Sequence, residues 1–146
     1  MEKDLNFRIA GALSLAAANY TGDTNGTVVD IRQAIAIMVH VNVGVVTTAD
    51  ATNYFTFKFE SGADSAGGDF TEIDSTDYID AKDQNNAAWD RKINATTEGP
   101  LGYQFGVRNS RGDLYGRVVA DETLTADLYA AASVLVTKRH TVAAGV

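Results

Sequence analysis

The sequence predicts an all-β fold, an antiparallel β-sandwich of the jelly-roll or the immunoglobulin-like type. Two observations lead to this prediction. Short segments in which apolar and polar residues alternate recur along the chain, and clusters of turn-forming residues separate them at regular spacing. The length of 146 residues suits a single domain with its own hydrophobic core.

The clearest strand signal is AIAIMVHVNVG, residues 34–44. Its aliphatic residues occupy alternate positions and predict one apolar face: Ile35, Ile37, Val39, Val41 and Val43. Gly44 is expected to close this strand. A second segment, YFTFKFE at 54–60, alternates Phe with Tyr and polar residues. The turn-rich VVTTADATN between the two segments predicts that they pair as an antiparallel hairpin.

Six further segments are predicted to be strands. The last of them places five apolar residues on one face, and no polar stripe at helical spacing favours a helix despite Ala131 and Ala132. The six segments are residues 27–31, 70–73, 88–94, 102–107, 114–120 and 128–136.

The first 25 residues are expected to form an N-terminal arm, extended or helical, ahead of a sandwich at 26–140 and a tail at 141–146. The stretch IAGALSLAAA within this arm is apolar like the centre of a signal peptide. Acids offset the bases before it, so the positive region of a signal peptide is missing, and it is too short to span a bilayer. Leucines Leu5, Leu13 and Leu15 are the expected anchors of the arm.

The charge of the chain is acidic and uneven. Its net charge is -7, which disfavours binding to phosphates and to anionic lipid, so we expect neither nucleic acid nor membrane as a partner. Residues 60–83 contain eight acids and one base, whereas from Tyr103 onward five bases face four acids. This asymmetry would suit head-to-tail contact between copies, although a solvated acidic loop is the simpler interpretation.

Residues suited to catalysis or metal binding are sparse. There is no cysteine, and two distant histidines, His40 and His140, do not make a zinc site. The spacing of Asp74, Asp77 and Asp80 could serve a weak calcium site or paired catalytic carboxylates, but the run lacks the EF-hand pattern and lies in a polar context. Serine-hydrolase, zinc-protease and phosphate-loop motifs are absent. We therefore expect no enzymatic activity, no cofactor and no metal.

The tripeptide Arg111-Gly112-Asp113 has the sequence that integrin-type receptors read. It lies in NSRGD, a run of turn-forming residues between two predicted strands. Glycine there supplies a positive φ, and Asn and Asp side chains bond to backbone groups of the bend. The prediction is a tight turn rather than an adhesive motif.

The strand order and the motifs at the strand ends carry a resemblance to a known group of proteins. These motifs are VHVNVG, FTFKFES, an Asp-rich turn with a Phe at 64–70, GYxxG at 102–106, RVV at 117–119, and an apolar strand that runs into basic residues and His at 130–140. The pattern covers most of residues 26–140. It resembles small structural proteins encoded among the head and tail genes of tailed bacteriophages. Two features depart from that group: the C-terminal region lacks a Gly-His-Pro-Arg ending, and residues 74–100 are longer and more acidic.

The resemblance implies a non-enzymatic virion component, specifically a decoration (cement) protein on the outer surface of the capsid. It implies the major capsid protein as partner and a homo-oligomer, with a trimer favoured. A rigid sandwich with an adhesive arm suits that role, because weak contacts are multiplied by symmetry. The candidate interface residues are the arm leucines Leu5, Leu13 and Leu15 and the aromatic residues Tyr20, Trp89, Tyr103 and Tyr115.

Two other roles remain open at this point. A head–tail joining or tail-tube protein would form rings rather than trimers. A carbohydrate-binding or adhesion module would need exposed aromatic residues beside Asp or Asn, and the neighbourhood of Trp89, Asp90 and Asn94 comes nearest to that arrangement.

Overall fold

The computed structural model describes the backbone of residues 7–139 and the side chains of residues 10–138. Eleven strands and two single-turn 3-10 helices, Ser75–Asp77 and Thr96–Glu98, are found in this part of the chain. The strands are β1 (Phe7–Tyr20), β2 (Thr24–Asn25), β3 (Val29–Asp30), β4 (Ala34–Thr48), β5 (Tyr54–Gly62), β6 (Thr71–Glu72), β7 (Tyr78–Asp83), β8 (Lys92–Ile93), β9 (Leu101–Val107), β10 (Tyr115–Thr123) and β11 (Asp127–Arg139).

The strands form two antiparallel sheets that share one core. Sheet A has the order β1-β11-β4-β9-β7. Sheet B has the order β2-β10-β5-β6, with β3 also paired to β10 and β8 to β5. The predicted all-β sandwich is therefore confirmed.

The predicted antiparallel hairpin between residues 34–44 and 54–60, which correspond to β4 and β5, is wrong. β4 pairs with β11 and β9 in sheet A, whereas β5 pairs with β10 in sheet B. The connection is a tight turn as expected, because the Asp50 carboxylate accepts hydrogen bonds from the backbone N–H of Thr52 and Asn53 at 2.7 and 2.9 Å. This turn carries the chain across to the other sheet. Gly44 does not end β4, which continues to Thr48.

The segment expected to be an arm contributes a strand of the sandwich. β1 is paired with β11 along its length, from Phe7–Arg139 to Tyr20–Leu128. Ala12 and Ala18 of β1 pack against the core, and Leu15 is 1% exposed. Only residues 1–6 of the expected arm, with Leu5, lie outside the described residues.

The acidic segment at 60–83 contains more regular structure than expected. Its last six residues form β7, which pairs with β9 at the other edge of sheet A. Three weaker predicted strands are shorter than expected: 27–31 reduces to β3, 70–73 to β6 and 88–94 to β8. The segments at 102–107, 114–120 and 128–136 correspond to β9, β10 and β11.

The core lies between the sheets. Phe55, Phe57 and Phe59 of β5 are each 0% exposed, as are Val39 and Val41 of β4. A buried aromatic side chain removes about 150–250 Å² from water, so each of the three Phe residues is among the largest single contributions to the hydrophobic stabilisation. The predicted alternation in β4 and β5 is confirmed, except that Ile35, at the start of β4, is 52% exposed.

A buried serine joins the two sheets at one side of the sandwich. Ser14 lies at an irregularity in the pairing of β1 with β11 and is 2% exposed. Its hydroxyl donates to the carbonyl of Thr27 at 3.0 Å and accepts from the N–H of Val118 at 2.9 Å. The Ser14 carbonyl also accepts from the N–H of Thr27 at 2.7 Å. Ser14 thereby links β1 of sheet A to β10 of sheet B.

Candidate interaction surfaces

Most of the residues expected to form an interface are buried. Leu15, Tyr20, Trp89 and Tyr103 are between 1% and 8% exposed, so they belong to the core and are not available as exposed anchors. Tyr115 is half-buried, with the guanidinium carbon of Arg32 5.5 Å from the centre of its ring. Leu13 is 57% exposed and Leu5 lies outside the described residues.

Trp89 and Tyr103 fix the connection between β7 and β9 onto the core. Their ring centres lie 4.5 Å apart. The indole N–H of Trp89 donates to the carbonyl of Lys92 at 2.7 Å, and the hydroxyl of Tyr103 donates to the carbonyl of Glu98 at 2.8 Å. Burial raises the pKa of Tyr103 to about 12, and the carboxylate of Glu98 adds to this rise. Trp89 therefore offers no exposed ring on which a sugar could stack.

The Arg-Gly-Asp segment is a turn that is bonded to its own chain. Gly112 has a φ of 69°, which favours glycine. The Asn109 side chain accepts from the N–H of Asp113 at 2.9 Å and donates to its carbonyl at 2.8 Å.

Both charged side chains of the tripeptide are already engaged. The Nε of Arg111 lies 3.0 Å from the Asp113 carboxylate. The same guanidinium donates to the hydroxyl of Thr71 at 2.7 Å and to the hydroxyl of Ser61 at 2.8 Å. The predicted turn is confirmed, and its Arg and Asp side chains face each other instead of extending toward a receptor.

The acidic residues that suggested calcium binding do not converge on one point. Asp77 is buried and accepts a short hydrogen bond from the hydroxyl of Ser110. The Asp80 side chain is 75% exposed and lies 3.5 Å from the ammonium of Lys82. Within residues 7–139 no group of three or more His, Cys, Asp or Glu side chains is placed to hold a metal ion. The described segment also contains no helix long and apolar enough to cross a membrane.

The outer face of sheet B carries charged side chains that pair with one another. Arg117 bonds to Glu60 at 2.7 Å, and Lys58 contacts Glu72 at 3.7 Å. Lys58 also forms a short ion pair with Asp121, and this hydrogen bond is the main cause that raises the pKa of Lys58. This face is therefore polar, as is usual for the exposed side of an antiparallel sheet.

The outer face of sheet A is different, because its four adjacent strands β1, β11, β4 and β9 present no Asp, Glu, Lys or Arg along their central parts. β4 and β9 contain none at all, and those of β1 and β11 lie at the strand ends: Arg8, Asp127, Lys138 and Arg139. We call this surface the neutral face. It consists of the outward residues Gly11, Leu13, Met38, His40, Asn42, Gly102, Gln104, Gly106, Ala131, Ser133 and Leu135.

The register of the strands arranges these residues in rows across the sheet. Leu135 pairs with Gly11 on one side and Met38 on the other, and Met38 pairs with Gly106, which pairs with Ile79 of β7. This row is apolar. The next row is uncharged and polar as far as β9, with His40 between Ser133 and Gln104.

Two glycines of the neutral face allow close contact between neighbouring strands. A Cβ at Gly106 would lie 3.3 Å from the Cβ of Ile79, and a Cβ at Gly11 would lie 3.2 Å from the Cδ2 of Leu135. The absence of a side chain at these two positions therefore lets Ile79 and Leu135 lie close across their neighbouring strands.

Two shallow grooves are lined in part by residues of the neutral face. One, of about 400 Å³, is lined by apolar residues that include Ile35, Met38 and Ile79. The other, of about 300 Å³, is lined by polar residues that include His40, Asn42 and Gln84. Among the described residues, neither groove is lined by a group of three or more His, Cys, Asp or Glu side chains placed to hold a metal ion.

The neutral face was not predicted from the sequence, although a signal for it exists there. The polar positions of a half-exposed strand normally include charged residues, and β4 fills those positions with Ala36, Met38, His40 and Asn42. The pattern identifies an unusual face once the neighbouring strands are known. Of the expected interface residues that the structure describes, Leu13 alone is assigned to this face.

Comparison with known proteins gives one structural likeness. No protein-family model matches the sequence, and no curated protein matches it by sequence similarity. Among solved structures, the chain is similar to the SPBc2 prophage-derived protein YomS, with a TM-score of 0.54 and 11% sequence identity. The likeness covers 90% of this chain and 95% of the other. At this identity, the two proteins are shown to share a fold.

Proposed function

We propose that the chain is a non-enzymatic structural protein of a tailed-phage virion. The observation that carries this proposal is the fold shared with a prophage-derived protein over 90% of this chain and 95% of that one. The likeness extends over nearly the whole of both compared chains. The resemblance of the strand-end motifs to phage structural proteins supports the same origin independently.

Within the virion, we favour decoration of the outer surface of the head, with the major capsid protein as partner. A decoration protein acts through surfaces rather than a catalytic cleft, and the described residues offer a neutral face, paired charges on the opposite face and shallow grooves. The net charge of -7 disfavours a position against packaged DNA. A head–tail joining or tail protein is the alternative role within the same class.

The carbohydrate-binding alternative has less support. That role needs an exposed aromatic ring on which a sugar stacks, and the ring of Trp89 packs against Tyr103 with 8% of its residue surface exposed. We therefore retain the virion role alone.

Immunogold electron microscopy of particles produced by the phage or lysogen that encodes the chain tests this proposal. Antibodies raised against the purified protein should label the head surface evenly if the protein decorates it. Label confined to the neck or the tail would move the assignment to the alternative role. Mass spectrometry of gradient-purified particles is the control for an epitope hidden in the assembly. If the protein is absent from purified particles, the virion proposal is overturned.

A further inference from the structure

We propose that the neutral face of sheet A packs against the neutral face of a second copy of this chain, as a two-fold symmetric dimer. This inference concerns the partner of a surface and does not rest on the proposed function. Three properties of the face support it: its lack of charge, its size and its complementarity to itself.

The first property is the absence of charged side chains where a solvated sheet normally has them. The exposed apolar residues Leu13 and Met38 are 57% and 36% exposed. Across β1, β11, β4 and β9, the outward residues between the strand ends are apolar, glycine, or neutral polar. Removing such a surface from water desolvates no ion and buries apolar area, so covering it is favourable.

The lack of charge also indicates which surface covers the neutral face. The other large surfaces of the described residues are charged: the outer face of sheet B carries Lys58, Glu60 and Arg117, and the loop before β6 carries Asp64 and Asp69. Packing the neutral face against either would bury charges without giving them new partners. Among the described surfaces of this chain, the matching one is the neutral face of another copy.

The size of the face is sufficient for a specific contact. Four strands about 4.8 Å apart, with about eight residues each at about 3.4 Å per residue, give a face of roughly 19 Å by 27 Å, or about 520 Å². Two such faces bury about 1,040 Å² together, which reaches the area of about 1,000 Å² expected of a specific interface and is typical of a weak one.

The rows of the face are complementary to themselves. One row is apolar and contains Met38 and Leu135, and the adjacent row contains Ser133, His40 and Gln104, each with both donor and acceptor capacity. Because identical surfaces meet, the symmetry is two-fold. A trimer, favoured by the resemblance, would instead need two different matching surfaces on each copy.

Sedimentation velocity at low and high micromolar concentration tests the inference with two matched variants. Leu13→Asp and Leu124→Asp make the same change at exposed leucines, 57% and 69% exposed, and only Leu13 lies on the neutral face. We expect a dimer for the wild type and for Leu124→Asp. Leu13→Asp should raise the dimer Kd by at least about 100-fold, because two-fold symmetry buries the carboxylate twice. Met38→Asp should have a similar effect from the centre of the face.

Circular dichroism and thermal melting establish that each variant is folded. Peroxide oxidation of Met38 in the wild type is a second measurement that does not depend on the folding of any variant. Dimerisation should slow this oxidation at high protein concentration. A wild-type monomer, a trimer, equal weakening by both Leu→Asp variants, or a concentration-independent oxidation rate would each overturn the inference.

Discussion

Replacing Ser14 by alanine tests whether its hydroxyl holds the two sheets together at the β1 side of the sandwich. The hydroxyl accepts a hydrogen bond from the N–H of Val118 at 2.9 Å and donates one to the carbonyl of Thr27 at 3.0 Å. Alanine removes both bonds and leaves the backbone path of β1 unchanged. The Val118 N–H and the Thr27 carbonyl differ in their access to water, so losing the hydroxyl costs a different free energy at each.

The expected loss follows from the burial of those groups. Val118 is 0% exposed, so its N–H is left without a partner, which costs about 1–3 kcal/mol. Thr27 is exposed, so water can replace the hydroxyl at its carbonyl with little net change. We expect the free energy of unfolding to fall by about 2 kcal/mol. At about 3 °C for each kcal/mol in a chain of this size, the Tm should fall by about 6 °C.

Urea denaturation followed by tryptophan fluorescence measures this change, and hydrogen exchange at the Val118 amide locates it. Ser65→Ala is the control for the same substitution, because Ser65 is exposed in the loop before β6, away from the neutral face, and its side chain makes no hydrogen bond to the residues described. A loss below about 0.5 kcal/mol, or an equal loss in the control, would refute the linking role of Ser14.

Three further predictions test the core, the buried tyrosine and the Arg-Gly-Asp turn. Gly116→Ala should destabilise the protein by about 1–3 kcal/mol, because its Cβ would lie 2.6 Å from the Cε1 of Phe59; an unchanged urea midpoint would contradict this packing. The raised pKa of Tyr103, about 12 against 10.0, means that the folded state retains a proton that the unfolded state loses. Stability should therefore be complete below pH 10 and fall by about 1.4 kcal/mol per pH unit from this residue as the pH rises toward 12, with a shallower fall in Tyr103→Phe. Arg111→Ala should lower the free energy of unfolding by about 1–2 kcal/mol, because its bond to Ser61 is lost; a purely adhesive role predicts no change in denaturation.

The local structure of the long strands could be predicted from the sequence, but their partners could not. Alternation in β4 and β5 identifies which residues face the core, and Val41 and Phe57 are buried as expected. The same alternation is compatible with pairing inside one sheet or with a crossing between sheets. The turn at Asp50 satisfies its backbone groups in either case, so the hairpin prediction had no local signal against it.

The expected interface residues were misassigned for a related reason. Tyr20 and Trp89 lie outside the regular alternation, so no sequence pattern predicts their burial. Tyr103 alternates with Phe105 and Val107 in β9, so that pattern could have predicted its burial. The structure buries all three rings, and the polar group of each ring bonds to a backbone carbonyl. Because the polar group of each ring keeps a hydrogen bond, burying the ring costs little free energy. Patterns in a single sequence do not reveal these hydrogen bonds.

The two sheet faces lead to opposite expectations for the effect of salt on self-association. The ion pairs of sheet B, such as Arg117–Glu60, are satisfied within one molecule and gain nothing from a second copy. The net charge of -7 makes two copies repel each other, whereas the neutral face brings no charged pair into contact. Salt screens the repulsion and leaves apolar burial intact. Dimerisation through the neutral face should therefore strengthen as ionic strength rises. An association that weakens with salt would show that charged groups form the contact, and it would direct attention to the acidic segment at 60–83 instead.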